Sequence, residues 1–204
     1  MTRLLLATRN AKKLVELRRI LEAEGVSGVE VIGLDEVAEF PEAPETGATF
    51  EENAVAKAAD AARASGLPAV ADDSGLSVEA LNDMPGVLSA RWCGRHGDDQ
   101  ANLELLLGQV KDVPDERRGG AFVSAAALVL PDGTETVVRG EWPGTVTRAP
   151  RGENGFGYDP IFVPEGETRT AAELSAEEKD ADSHRGRALR LLLPTLRKLA
   201  EQEQ

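Results

Sequence analysis

Two neighbouring carboxylates, Asp72 and Asp73, follow a short apolar run in "AVADDSGLSVEAL", residues 69 to 81. Successive side chains on a strand point to opposite faces. Convergence of both carboxylates on one pocket therefore requires the strand to end near Asp72 and the Ser-Gly pair behind it to turn the chain. Ionised, two such groups destabilise each other, and a divalent cation is the natural remedy. Oxygen ligands without sulfur or a histidine cluster favour magnesium or manganese over zinc. The same residues also fit an acidic surface turn.

Three other stretches carry donors or rings. "TRNAKK", residues 8 to 13, follows an apolar run and opens a helical pattern. A strand-to-helix junction exposes unpaired backbone N–H groups, to which Thr8, Asn10, Lys12 and Lys13 add donors, so the segment reads as a phosphate cradle or as an ordinary capped helix start. It is not a P-loop, because GxxxxGK[ST] is absent. Lys57 lies inside the next helical pattern, where a lone lysine is either a solvated charge or an anion contact. "ENGFGYDPIF", 153 to 162, sets Phe156 and Tyr158 among glycines. Phe156 there suits stacking on a planar ring and Asp159 suits accepting hydrogen bonds, the alternative being a tight turn with both rings in the core. "KDADSHRG", 179 to 186, places Lys179, His184 and Arg185 together as donors for a carbonyl-bearing base edge, or as partners of Asp180 and Asp182. His96 has no partner pattern and reads as a surface residue.

The elements that must hold these residues follow from periodicity. "RLLLA", 3 to 7, reads as a buried strand, and Leu14, Leu17, Ile20 and Leu21 recur at helical spacing until Gly25. "VEVIGL" suits a second strand, residues 35 to 47 a loop, and "FEENAVAKAADAARASG" a helix whose start has the Thr49/Glu52 capping-box spacing. Residues 98 to 107 suit a helix. "GGAFVSAAALVL" and "TETVVRGEW", joined by Pro-Asp-Gly at 131 to 133, suit a hairpin. "NGFGYDPIFVP" suits a loop leading into a strand, Ser175 with Glu178 a cap, and the leucines from 189 to 199 the apolar face of a last helix. Alternating helices and strands with a central hairpin predict an α/β fold on a mixed sheet, and no GxGxxG supports a Rossmann alternative.

The whole chain limits the partners. Its 204 residues and 41% apolar content suit a folded protein, with one sizeable core or two modest lobes. Thirty-six acidic residues against twenty-three basic give a formal charge of -13, which repels polymeric nucleic acid and anionic membranes. A small anionic ligand remains compatible, because a few fixed cations and a bound metal invert the sign locally. The single cysteine, Cys93, excludes an intrachain disulfide and a thiolate zinc site. The opening residues form no signal peptide and no apolar run spans a bilayer, so the expected location is cytoplasmic.

In order along nearly the whole chain, "TRNAKK", "ETGATFEENAVAKA", "ADDSGL", "PGVLSARW", "GFGYDPIF" and "SHRGRA" resemble the inosine triphosphate pyrophosphatase family, which removes deaminated purine nucleotides. The resemblance implies one nucleoside triphosphate pyrophosphatase domain over 1 to 204. It also implies an elongated mixed β-sheet with flanking helices, two lobes around a central nucleotide cleft, and a homodimer. It implies magnesium, with manganese as a substitute, held by Glu45, Asp72 and Asp73, with Asp73 as proton acceptor from water. Thr8, Arg9, Asn10, Ala11, Lys12, Lys13 and Lys57 would contact phosphate, and Ser74 the substrate. Phe156 would be the stacking ring, and Gly157, Tyr158, Asp159, Lys179, His184 and Arg185 the rest of the nucleotide pocket. Arg9 departs from the small residue common in the family at that place.

The implied reaction is hydrolysis of ITP, dITP and XTP to the monophosphate and pyrophosphate, with pyrophosphatases of ordinary or modified pyrimidine triphosphates and a non-enzymatic nucleotide sensor as alternatives. A 6-oxo purine presents an acceptor to Lys179, His184 or Arg185, whereas adenine presents its 6-amino donors to donors.

Overall fold

The computed structural model of the chain describes residues 1–42 and 44–201. Its strands are β1 (Thr2–Leu6), β2 (Val29–Ile32), β3 (Ala69–Val78), β4 (Met84–Pro85), β5 (Gly119–Val129), β6 (Glu135–Val146) and β7 (Phe162–Pro164). The helices are α1 (Ala11–Ala23), α2 (Phe50–Ser65), α3 (Asp99–Gln109), α4 (Ala176–Asp182) and α5 (His184–Glu201). Seven strands form one mixed sheet in the order β2-β1-β3-β5-β6-β7, with β4 paired to β3. β1 runs parallel to β2 and β3, and the pairs β3/β4 and β6/β7 are antiparallel.

The chain divides into two compact units, each assembled from separated segments. The first comprises Met1–Asp73, Ala125–Gly140 and Arg185–Gln204, the second Ser74–Ser124 and Glu141–His184. In the first, the buried stripe Leu17, Ile20 and Leu21 of α1 and the face Leu189, Leu192, Leu193 and Leu196 of α5 pack with Leu4 and Leu6 of β1 and Val70 of β3. The 3.6-residue period of both helices builds this core, and each fully buried leucine contributes about 1.5–3 kcal/mol. In the second, Leu103 and Leu106 of α3 pack with Leu76, Phe122, Trp142 and Phe162, and the Phe122 and Phe162 rings meet edge to face at 4.6 Å. Arg118 is also buried here, its guanidinium donating to the carbonyls of Val110, Val113, Val146 and Thr147 and so closing the exit of α3 onto the end of β6.

The local signals produced the expected ends. Asn10 caps α1 by accepting from the Lys12 N–H at 3.0 Å, and Gly25 leaves the helix with φ 64°. Ser175 and Glu178 form a full reciprocal box at α4, a helix the periodicity did not reveal. At α2 the box is displaced by one residue: Thr49 Oγ1 accepts from Glu52 N–H, but the Glu52 carboxylate accepts from Ala48 N–H at 2.7 Å. The expected loop from 35 to 47 begins in a 3-10 turn at Leu34–Glu36, and its Ala43 lies outside the described residues.

One expectation is corrected. β3 does not end at Asp72, and Ser74-Gly75 is not a turn, since the strand continues unbroken to Val78. Gly75 is required there for close packing: a Cβ would collide with Ser89 Oγ and the Gly86 carbonyl, where Ser89 Oγ accepts from the Leu76 N–H at 2.9 Å.

Candidate active site

Because β3 runs straight through, alternation sends the two aspartates to different partners. Asp72, 8% exposed, accepts from Lys13 Nζ at 2.9 and 2.8 Å through its two oxygens and from Arg185 Nε at 3.2 Å. Arg185 in turn donates to Glu16 Oε2 at 3.3 Å, and Glu16 is itself buried on α1. Burial alone would raise the Asp72 pKa, but Lys13 and Arg185 overcome it and hold the carboxyl far below its usual range. Lys13 is pushed down as well, by burial and by the neighbouring Arg185, against the pull of Asp72. The two directions describe one cluster, in which Asp72 is shared by Lys13 and Arg185 while Arg185 also pairs with Glu16, and the two carboxylates hold the Arg185 pKa up against burial.

Asp73 lies in a second cluster of the same unit. Its Oδ2 accepts from Asn53 Nδ2 at 2.9 Å, and its Oδ1 lies 3.6 Å from Lys57 Nζ. Lys57, one turn beyond Asn53 on α2, also ion-pairs with Glu45. Burial pushes the Asp73 pKa up, offset in part by Lys57 and the Asn53 hydrogen bond. Lys57 is driven up in spite of burial, because it sits among Asp73, Glu45 and Asp72. Glu45 and Asp73 thus share one side-chain cation, and two oxygen-bearing groups around one positive charge fit a magnesium-type ion. Among the described residues no group of three or more metal-ligating side chains is assembled, since Asp72 addresses Lys13 and Arg185 instead.

The segment between β1 and α1 borders a cavity of about 550 Å³ in this unit, whose other wall is residues 33 to 35 with residues 37 to 40 and Glu42. Thr8 Oγ1 accepts from the Asn10 N–H at 3.2 Å, shaping the turn. Asn10, Ala11 and Lys12 are exposed around the start of α1, whereas Lys13 turns inward to Asp72. Arg9 is exposed and donates to Glu42 at 2.7 Å, so it ties the turn to the acidic loop. An exposed pair of this kind contributes about 0–1 kcal/mol.

The second unit holds the ring-bearing residues. Phe156 is half exposed, and Lys179 Nζ stands 5.0 Å from its ring centroid. Lys179 ion-pairs with Asp159, which is buried and also accepts from the Phe156 N–H at 3.0 Å. Gly157 donates its N–H to Asp99 Oδ2 at 2.9 Å. Tyr158 lies in the core, its hydroxyl donating to the Ser89 carbonyl at 2.7 Å, and burial raises its pKa. His184 is buried with its ring stacked on Phe122 at 5.0 Å. Ser74 is half-buried on β3, and His96 is exposed.

Lys179, His184 and Arg185, close in sequence, therefore have three different environments. Of the three, Lys179 is the one seen over the exposed Phe156 ring. Four residues at these positions escaped the sequence reading: Glu16, Glu42, Asn53 and Asp99. Asn53 and Glu16 did carry a signal, a polar residue on the apolar face of an amphipathic helix, where burial demands a partner. Glu42 and Asp99 carried none, since exposed acids are common in this chain.

The model of the Ham1 family matches residues 4–195. A dITP/XTP pyrophosphatase of Nocardia farcinica is 70% identical over 201 residues, covering 98% of each chain. One from Mycobacterium tuberculosis is 67% identical over 199 residues, covering 98% of this chain and 97% of that protein. The crystal structure of a nucleoside-triphosphatase / dITP/XTP pyrophosphatase from Mycobacterium abscessus superposes with a TM-score of 0.81 at 65% identity, covering 96% of this chain and all of the other. A HAM1 protein structure from Coxiella burnetii superposes with a TM-score of 0.89 at 41% identity, over 97% of this chain and all of the other. Among the described residues no helix is long and apolar enough to cross a membrane.

Proposed function

Because the chain belongs to the Ham1 family, we propose that it is a nucleoside triphosphate pyrophosphatase that hydrolyses dITP, ITP and XTP to the monophosphate and pyrophosphate with magnesium. The observation that carries the reading is the pairing of three cations, Lys13, Lys57 and Arg185, with three carboxylates, Glu45, Asp72 and Asp73, in one unit. Such a site has cations for a triphosphate and a carboxylate for water.

Asp73 accepts the proton of the water that attacks the α-phosphorus, and the bond from that phosphorus to the bridging oxygen breaks as pyrophosphate leaves. Burial raises its pKa and so strengthens it as a base relative to an ordinary aspartate, offset in part by Lys57 and the Asn53 hydrogen bond. The positive end of α1, with Lys12 and Lys13, holds the leaving pyrophosphate. Glu45 and Asp73 would hold magnesium, which offsets phosphate charge and acidifies water when bound. Asp72 keeps Lys13 and Arg185 in place, and joins the metal ligands only if those cations move off it.

Phe156 offers the stacking face for the base, and Lys179, fixed by Asp159, offers a donor to a 6-oxo group. An adenine 6-amino group would leave that donor unpaired, the kind of mismatch that gives roughly 10⁴-fold discrimination. A homodimeric, cytoplasmic enzyme acting on the free nucleotide pool is part of the same reading, and rests on the family resemblance.

The test is pyrophosphate release from ITP, dITP, XTP, GTP, ATP and dTTP, each with magnesium and with chelator, while identifying the nucleoside product. Magnesium-dependent monophosphate formation from the deaminated purines is the expected result. Stepwise release of inorganic phosphate, or equal turnover of ATP and GTP, would overturn it.

A further inference from the structure

Asn53 lies on the first turn of α2, only 2% exposed, with its amide between two segments that the proposed reaction requires. Nδ2 donates to Asp73 Oδ2 at 2.9 Å, while Oδ1 accepts the Gly47 N–H at 2.8 Å. Gly47 stands two residues after Glu45. One side-chain amide therefore touches both the proposed base and the backbone of the segment that carries the other carboxylate. The absence of a side chain at Gly47 permits this approach, since a Cβ there would fall 2.6 Å from Asn53 Oδ1 and 2.8 Å from Glu52 Cβ. Lys57, four residues on along the same helix face, addresses the other oxygen of Asp73.

We propose that Asn53 is a positioning residue, whose amide ties the Glu45 segment to Asp73 and so sets the distance between the two carboxylates. The inference rests on the assignment of Glu45 and Asp73 as the working acids. The amide is directional: its NH₂ end suits a carboxylate, and its carbonyl end suits an N–H. Aspartate at this place keeps an acceptor for Gly47 but sets an oxygen against the Asp73 carboxylate. Leucine fills a similar volume and keeps neither bond. Bare backbone flexibility at residues 44 to 49 would let Glu45 wander, and a misplacement of about 1 Å at a reacting group costs about 10²-fold in rate.

The experiment compares wild type, Asn53→Asp and Asn53→Leu, each checked for a cooperative thermal transition. Two quantities are read: hydrogen exchange at the Gly47 amide without nucleotide or metal, and kcat and KM for dITP with magnesium. Asn53→Asp should keep Gly47 protection within about threefold yet lose kcat by about 10²-fold, with KM changed far less. Asn53→Leu should lose kcat comparably and exchange the Gly47 amide roughly tenfold faster, as expected for a lost hydrogen bond. Wild-type kcat in Asn53→Asp, or unchanged Gly47 exchange in Asn53→Leu, would overturn the proposal. A wild-type protein inactive on every nucleotide would sink the functional reading, and with it the claim of positioning, while the exchange arm would still decide whether the tie exists.

Discussion

Asp72 and Asp73 are adjacent on one uninterrupted strand, yet Asp72 is bound by Lys13 and Arg185 whereas Asp73 is bound by Asn53 and faces Lys57. The difference follows from strand alternation, which sends neighbouring side chains to opposite faces. Their substitutions should therefore fail in different ways. Asp73→Asn should retain a near-normal melting temperature and lose activity by at least about 10²-fold, because it removes the proposed base and a proposed metal-binding charge together. Asp72→Asn should instead lower stability by roughly 3–5 kcal/mol, since it removes the buried carboxylate that Lys13 and Arg185 share. Chemical denaturation and steady-state rates on both variants check this, and equal effects on stability would contradict it.

The depressed pKa of Asp72 makes the same pair a source of pH dependence. A carboxyl whose folded pKa lies below its unfolded value of about 3.9 contributes stability that is complete above that value and lost as pH falls toward the folded pKa. In metal-free protein the stability gap between wild type and Asp72→Asn should be constant from about pH 5 to 7 and close progressively below about pH 4. A gap that widened on acidification would contradict the assignment. Urea titrations at stepped pH provide the measurement.

Lys57 stands between Glu45 and Asp73, the position at which a divalent ion would neutralise the same two carboxylates. Lys57→Met should bind manganese more tightly in the absence of nucleotide, by about tenfold, because an internal competitor for the carboxylates is gone. It should also lower kcat/KM for dITP, since a charge proposed to face the phosphates is lost. Calorimetric titration with manganese separates the two effects, and weaker metal binding in the variant would place Lys57 outside this role.

Phe156 exposes half of its surface, with Lys179 Nζ over its ring. Stacking of a base on an aromatic ring contributes about 1–3 kcal/mol. Phe156→Ala should accordingly raise KM for dITP by roughly 10- to 100-fold while kcat changes little, because the ring is proposed to act on capture rather than on the reacting phosphorus. An unchanged kcat/KM would place the ring outside the nucleotide site.

Local chemistry was legible from the residues alone. Asn10, Thr49 and Ser175 cap helices because their short oxygens satisfy N–H groups within three residues. The Pro-Asp-Gly hairpin and the leucine face of α5 are likewise decided by near neighbours and by period. The motif order identified the family before any contact was known. What the strand does at Asp72 was misread, because a Ser-Gly pair signals a turn unless something packs against the glycine. Here Ser89 and Gly86 do, and both are remote from it in sequence. The partners of the charged groups were decided only by tertiary structure. Arg185 meets Asp72 across 113 residues and Glu16 across 169, and Asn53 reaches Asp73 across 20. Sequence alone determines which groups will need a partner when buried, because desolvation is a property of the side chain. Which partner each group finds depends on sheet alternation and helix facing, and those exist only once the chain is packed.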